Sequence, residues 1–346
     1  MQRKTTIKDI GRAAGVSPTA VSMALNDRRG VSPDTRRRIK ALAVEMGYRP
    51  NYAARSLVSC KSYLIGFVIN SIADPFYPEM AQKVEETANA AGYSLLLCNT
   101  QRSLGREKAV LEVLHDRGVD GVIIATAMAD DANIRHLIED GFCFVLVNRH
   151  CSGAFFENRI DYVVADNEAI GRMAIRHLYR LGHERIAVIA GDLNTTTAML
   201  RTRAAVAALE KYGLDRDERW VVECHYRRDA ARTAAVELLA CNKRPTAFFC
   251  QDDFMAFGVR DAVLESGLQI PRDVALIGVD DVEMGALRGV DLSTISPRKS
   301  EMGFTATRIL IDKMQGRQIG KSRNVVLTPE LIVRTSCGYS LKGYRR

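Results

Sequence analysis

Residues 5–58 read TTIKDIGRAAGVSPTAVSMALNDRRGVSPDTRRRIKALAVEMGYRPNYAARSLV, and this stretch sets the expectation for the whole chain. Thr6 is placed to cap a first short helix, with Asp9 three residues on as its capping-box partner. Gly15 and Val16 make a tight turn. Ser17 is the next N-cap, and Pro18 suits the first position of a second helix that runs to about Leu25. Ser32, Pro33 and Asp34 repeat the start signal for a third helix ending near Met46. Two short helices across a glycine turn, closed by a third, form the helix-turn-helix arrangement, expected over residues 1–48. Such a head has few uses other than sitting in a DNA major groove.

The charge supports that placement. The 346 residues carry a net +8, and residues 1–63 hold 13 Lys/Arg against 4 Asp/Glu, while the rest is nearly neutral. The basic excess therefore lies where phosphates would bind. A length of 346 residues predicts two or three compact units, and 47% hydrophobic residues suffice for real cores. The eight cysteines show no C-x-x-C spacing, and several sit in apolar runs such as SLLLCN and AFFCQ. They read as reduced core thiols, so neither a metal nor any other cofactor is expected. With no apolar leader and no run of about 18 apolar residues, the sequence predicts a soluble, cytoplasmic protein without a membrane partner.

From Ser62 onward, short apolar runs alternate with amphipathic stretches. SYLIGFVIN, SLLLCN, GVIIAT and FCFVLVN read as strands, with helices between them. The alternation resumes after Asp166 through RIAVIAG, WVVECHY, TAFFCQ and VALIGVD. Continuous apolar strands alternating with helices predict parallel sheets covered on both faces. Roughly ten such units are too many for one ordinary sheet, so two α/β lobes are expected, dividing near Tyr162. Ligands in open parallel sheets sit at the carboxyl ends of strands. The residues there are Asn70 to Asp74, Thr126, Asn148, Arg149, Asp192 onward, Asp252 with Asp253, and Asp280 with Asp281.

The chain resembles the lac repressor (LacI/GalR) family of bacterial transcription regulators over nearly its whole length. The motifs are TTIKDIGRAAGVS, VSMALND, VSPDTRRRI, GYRPNYAARSL, ADPFYPEM, VDGVIIA, ADNEAIGRMAIRHLYRLGHERIAVIAG, DDFMAFGVRDAVLESGLQIPRDVALIGVDD and LSTISPRKSEMG, in the family's order. The resemblance implies an all-α helix-turn-helix head with a hinge helix, then a two-lobed core like the periplasmic sugar-binding proteins. It places a hinge over residues 49–61. The first lobe is expected over 62–161 plus about 292–322, and the second over 162–291 plus about 323–340. It lays the second head helix in the major groove, with Pro18, Thr19, Ala20 and Met23 at base edges. Met23 stands where relatives often have Arg or His, and methionine cannot make their bidentate pair with guanine. Thr6, Ser17, Ser22, Asn26 and Ser32 are candidates for phosphate contacts, with Arg28, Arg29, Arg36, Arg37 and Arg38 supplying charge. In the hinge, Asn51, Ala54, Arg55 and Leu57 match positions that meet the minor groove, with Leu57 as a wedge between base pairs.

The resemblance also implies an effector cleft between the lobes. Its candidate residues are Asp74, Phe76, Tyr77, Thr126, Asn148, Arg149, Thr197, Arg201, Tyr226, Asp252 and Asp280. A buried arginine such as Arg201 suits a carboxylate or a pair of hydroxyls, or else pairs with Asp280 across the lobes. Asp253 and Asp281 read as helix caps. Beyond Arg201 the chain has Arg203-Ala204-Ala205 where relatives have Gly-aromatic, so the packing behind the site should differ. The expected function is a ligand-responsive, sequence-specific DNA-binding regulator: a homodimer on a pseudo-palindromic operator, answering to a sugar, sugar acid or nucleoside. The alternative is a small-molecule binding protein without DNA-linked regulation. An enzyme is not expected, because no nucleophile elbow, Walker loop or GxGxxG fingerprint is present. The wedge assignment makes Leu57→Ala lower operator affinity with the head still folded. A gel-shift and bending assay in which this variant behaves like the parent would remove the assignment.

Overall fold

The computed structural model describes residues 5–48, 61–214, 217–317 and 322–342. It divides into two compact units, residues 1–62 and 63–346. The hinge positions Asn51, Ala54, Arg55 and Leu57 lie outside the described residues.

In the first unit, helices α1 (Ile7–Ala14), α2 (Pro18–Leu25) and α3 (Pro33–Glu45) start and stop where the side chains dictate. Thr6 and Asp9 form a complete capping box. Gly15 takes the left-handed conformation (φ 65°) that ends α1. Ser17 and Ser32 cap α2 and α3, each followed by proline at the first helical position. Ile10, Ala14, Val21, Ala24, Ile39 and Ala43 bury a small common core. The α1–α2 turn needs Gly11, because a Cβ there would lie 2.8 Å from the Val16 carbonyl oxygen.

The second unit contains two six-stranded sheets. The first holds β1 (Leu64–Ile69), β2 (Ser94–Asn99), β3 (Gly121–Ile124), β4 (Phe144–Val147), β5 (Tyr162–Ala165) and β11 (Asn324–Leu327) in the order β11-β5-β4-β3-β1-β2. The second holds β6 (Ile186–Ala190), β7 (Val221–Glu223), β8 (Ala247–Cys250), β9 (Ala275–Val279), β10 (Ser293–Ser296) and β12 (Glu330–Ile332) in the order β12-β10-β9-β8-β6-β7. All pairings are parallel except that of β12 with β10. The helices are α4 (Tyr77–Ala90), α5 (Leu104–Asp116), α6 (Ala132–Glu139), α7 (Asn167–Arg180), α8 (Thr196–Lys211), α9 (Arg228–Leu239), α10 (Asp253–Glu265) and α11 (Lys299–Met314). Central strands such as β3, β4, β6, β8 and β9 are buried at every position, as strands covered on both faces require.

The register corrects the expected lobe boundaries. Tyr162–Ala165 pairs with both β4 and β11, so it belongs to the first lobe rather than opening the second. Ser293–Ser296 pairs with β9 and lies in the second lobe. Residues 324–327, expected in the second lobe, complete the first sheet. Strand pairing decides membership here, and these four-residue strands carry too weak an apolar signal to mark it. The chain consequently passes between lobes three times: at Asp166, at Pro297–Arg298 and at Thr328–Pro329.

Small residues set the approach of α7 to α8. A Cβ on Gly171 would stand 2.3 Å from the Arg201 carbonyl oxygen, 3.0 Å from Ala205 N and 3.1 Å from Ala204 Cβ. Ala204 and Ala205 thus pack directly against Gly171. Because α8 carries Thr197 and Arg201, this contact places two site residues. Gly171→Ala should cost about 1–3 kcal/mol through overpacking, seen as a lower urea midpoint with an unchanged slope. A midpoint equal to the parent's would show that the helices part freely.

Candidate functional site

On the head, the start of α2 presents Ser17, Pro18 and Thr19 fully exposed, with Ala20, Ser22 and Met23 half-buried and Asn26 exposed at its end. Their local bonds are already made. Ser17 Oγ accepts from Ala20 N at 3.2 Å, and Asn26 Nδ2 donates to the Ser22 carbonyl at 2.8 Å. Ser32 Oγ accepts from Thr35 N at 3.3 Å. The Met23 sulfur lies over the turn that follows, since a Cβ on Gly30 would come within 3.2 Å of it. The arginines divide by task. Arg38 donates to the Ala14 carbonyl and so ties α3 to the end of α1. Arg36 and Lys40 converge on Asp27, whose carboxyl Lys40 holds below its ordinary range. Arg28 and Arg29 are exposed.

In the second unit, residues at the carboxyl ends of strands and on the helices that follow converge on a small cavity of about 30 Å³. It is lined by Asp74, Phe76, Tyr77, Asn148, Arg149, Thr197, Arg201, Tyr226, Asp252 and Asp280. Ten of the eleven residues expected from the sequence are therefore brought together. Thr126 is not among them; it is buried beside Glu107. A space of this size admits one or two waters. An adjoining pocket of about 540 Å³ shares Asp74 and Tyr226 with the cavity and has the size of a ligand site.

Arg201 is buried at 3% exposure, with Nε donating to Asn167 Oδ1 at 2.9 Å and Nη1 donating to the Gln251 carbonyl. Tyr226 fits only because Gly191 lacks a side chain, whose Cβ would fall 2.1 Å from the ring. The Tyr226 hydroxyl and Thr197 Oγ1 are 2.9 Å apart, and the Arg149 guanidinium stacks 5.3 Å from the ring centre. Phe76 and Tyr77 meet edge to face, and Asn70 Nδ2 donates to the Tyr77 hydroxyl at 3.1 Å. Burial pushes the Tyr77 phenol up to about 12. Asn148 (φ 67°), Tyr226 (φ 57°) and Asp280 (φ 114°) all occupy the left-handed side of backbone space. Such strain in non-glycine residues gathers at functional sites.

The carboxylates are expensive to keep charged here. Burial pushes the Asp74, Asp252 and Asp280 carboxyls above their usual range, opposed by the Arg102 and Arg149 charges at Asp74 and by Arg201 at Asp280. Asp252 Oδ1 accepts from Met255 N and caps α10. Asp253, expected as a cap, instead accepts from the Thr294 hydroxyl at 2.7 Å and from Val282 N at 3.0 Å, and burial pushes it up to about 7. Asp281 is likewise no cap; it pairs with Arg334 at 2.6 Å. The lobes are latched at the rim. Arg102 Nη2 binds Asp74 at 3.2 Å while its Nη1 donates to the His225 carbonyl at 3.1 Å. Ala129 N donates to the Asn194 carbonyl, and Thr196 Oγ1 donates to that of His150. Lys299, at the start of α11, pairs with Glu79 and donates to the Asp281 carbonyl, each at 3.0 Å.

Residues 6–51 match the model of the bacterial regulatory proteins of the lacI family, and residues 175–337 match a periplasmic binding protein-like domain. The chain is 32% identical over 335 residues to the HTH-type transcriptional repressor PurR of Haemophilus influenzae (strain PittEE), covering 96% of this chain and 98% of that one. The chain belongs to the lacI family of bacterial regulatory proteins. It is a DNA-binding regulator with a ligand-responsive core. Among solved structures it is similar to the lac repressor dimer bound to operator and the anti-inducer ONPF, at a TM-score of 0.84 and 25% identity over 97% of this chain and 99% of that one. It is also similar to the complex of the transcriptional regulator CelR with cellobiose, at a TM-score of 0.74 and 28% identity over 96% of this chain and all of that one. Among the described residues, no helix is long and apolar enough to cross a membrane.

Arg102, Asn167, Gly191 and Gln251, which the sequence does not single out, also stand at the cleft or support its lining. Each follows a strand, which is the signal that would have found them. The raised carboxyls fix a pH response. A carboxyl whose folded-state pKa is raised binds its proton more tightly folded than unfolded, so stability is lost as pH rises through the folded value. The urea midpoint should therefore rise as pH falls from 8 to 6. Asp252→Asn, which keeps an oxygen for the Met255 cap, should raise the midpoint at pH 8 and shrink that rise. A midpoint that falls over this range would contradict the assignment.

Proposed function

We propose that this protein is a transcriptional repressor that holds its operator as a homodimer. Residues at the start of α2 read the major groove, and a small polar molecule between the lobes sets how firmly the heads grip. The reading takes the effector from sugars, sugar acids and nucleosides, and its site residues are the ten that line the cavity. The observation that carries it is the convergence of three carboxyls, two guanidiniums and an aromatic wall on one small, strained cleft. Hydroxyl groups find both donors and acceptors there, and rings find Phe76, Tyr77 and Tyr226. DNA contact is assigned to Thr6, Ser17, Pro18, Thr19, Ala20, Ser22, Met23, Asn26 and Ser32, with Arg28 and Arg29 at phosphates. Met23 offers apolar contact in place of a bidentate guanine pair, so its base pair is read weakly. A role on chromosomal DNA places the protein in the cytoplasm, and catalysis has no part in it.

A ligand that binds the two states of the lobes differently shifts operator affinity, and the coupling is reciprocal. A thermal-shift screen of sugars, sugar acids and nucleosides, followed by operator titrations with each hit, tests the reading. At least one hit should change operator affinity about fivefold or more, the usual lower range for such coupling, and operator should change the affinity for that hit by the same factor. A protein that binds cleft ligands with no effect on DNA would be a small-molecule carrier, and the reading would fail.

A further inference from the structure

Arg149 lies two residues beyond the end of β4 and is 7% exposed. Its guanidinium forms one wall of the small cavity and stacks on Tyr226. Among the described residues, its Nε has no hydrogen-bond partner. The neighbouring cations differ. Arg201 spends Nε on Asn167 and Nη1 on Gln251, Arg102 holds Asp74 and the His225 carbonyl, and Lys299 holds Glu79 and the Asp281 carbonyl. Leaving a buried donor on a charged group unpaired is costly, and a cleft tolerates it best where a ligand supplies the missing oxygen.

We propose that the effector of this cleft carries a carboxylate, which docks side-on against Nε and one Nη of Arg149, above the Tyr226 ring. This rests on the reading of the cleft as the effector site. Arg201 suits a carboxylate by residue type, yet its Nε and Nη1 are already committed, which leaves Arg149 as the open fork. A guanidinium edge matches the two oxygens of a carboxylate. The neighbours select a singly charged group: the Asp74 carboxyl lines the same small cavity and disfavours a phosphate dianion. Burial also drives Asp252 and Asp280 toward their neutral forms, which leaves the cleft a cationic excess for one monoanion to balance.

The test is a set of thermal melts and calorimetric titrations of the full-length chain with acetate, inorganic phosphate and chloride at matched ionic strength. Acetate should raise the melting temperature saturably above the chloride control, and phosphate should not exceed acetate. In Arg149→Met the acetate affinity should fall about tenfold or more, the loss expected for a charge-assisted hydrogen bond. Arg149→Lys keeps the charge but lacks the fork, should show the same loss, and decides the matter if the methionine variant does not fold. Acetate acting no differently from chloride, or acetate affinity kept in the folded variants, overturns the proposal. Phosphate outdoing acetate overturns the carboxylate. These outcomes separate from failure of the broader reading: neutral sugars that shift operator binding while acetate behaves as chloride defeat the Arg149 site alone. An Arg149-dependent acetate effect with no effector acting on DNA defeats the regulatory reading alone.

Discussion

The ligand core depends on one buried cation. Arg201 reaches from α8 to Asn167 at the start of α7 and to the carbonyl that ends the β8 turn. Three elements therefore meet on a single guanidinium, and they meet at that distance only because Gly171 lets the two helices touch. A charge buried in this way is tolerable when its donors are matched, and here Nε and Nη1 are. The same requirement spreads outward. Gln251, held through its side chain by Thr202 and Gly191 N, is fixed at the floor of the cleft, and Gly191 in turn leaves room for the Tyr226 ring. The site is thus a consequence of packing as much as of chemistry.

Much of this was legible in the sequence. The head could be read almost residue by residue, because its caps are local: Thr6, Ser17 and Ser32 bond to backbone groups three residues away, and spacing alone predicts that. The strand-end rule, joined to the family resemblance, found most of the cleft. The failures have a common cause. The strand Tyr162–Ala165 is only four residues long and reads as a boundary in the sequence, so nothing there marks Asn167 as the partner of Arg201. Asp252 both lines the cavity and caps α10, whereas Asp253, expected as the cap, binds Thr294 and Val282 instead. Which of two adjacent carboxylates turns back to cap a helix depends on the backbone angles between them, and no periodicity records those. Thr126 shows the converse: it follows a strand, but it is buried beside Glu107 and does not line the cavity.

The cleft is maintained by modest means. Arg102, Lys299 and a few backbone bonds at the rim join the lobes; Lys299 is buried, but its partner Glu79 and the Arg102 side chain are partly solvated, where ion pairs contribute little. Against them stand several buried carboxyls, a stacked guanidinium with an unmade bond, and residues held in disfavoured backbone angles. Opposing contributions of this kind leave an arrangement that a bound ligand can shift through its differential affinity.

The three passages between the lobes carry a mechanical consequence. Each is only one or two residues long; two join a strand to a helix, and the third joins strands of the two sheets. Short parallel tethers resist stretching and sliding but yield to rotation about their common bundle. The core therefore has one soft degree of freedom, and inserting a residue into any single tether would set it at odds with the other two. Length variation should be rare at these joints and freer in the outer loops, where nothing has to stay in step.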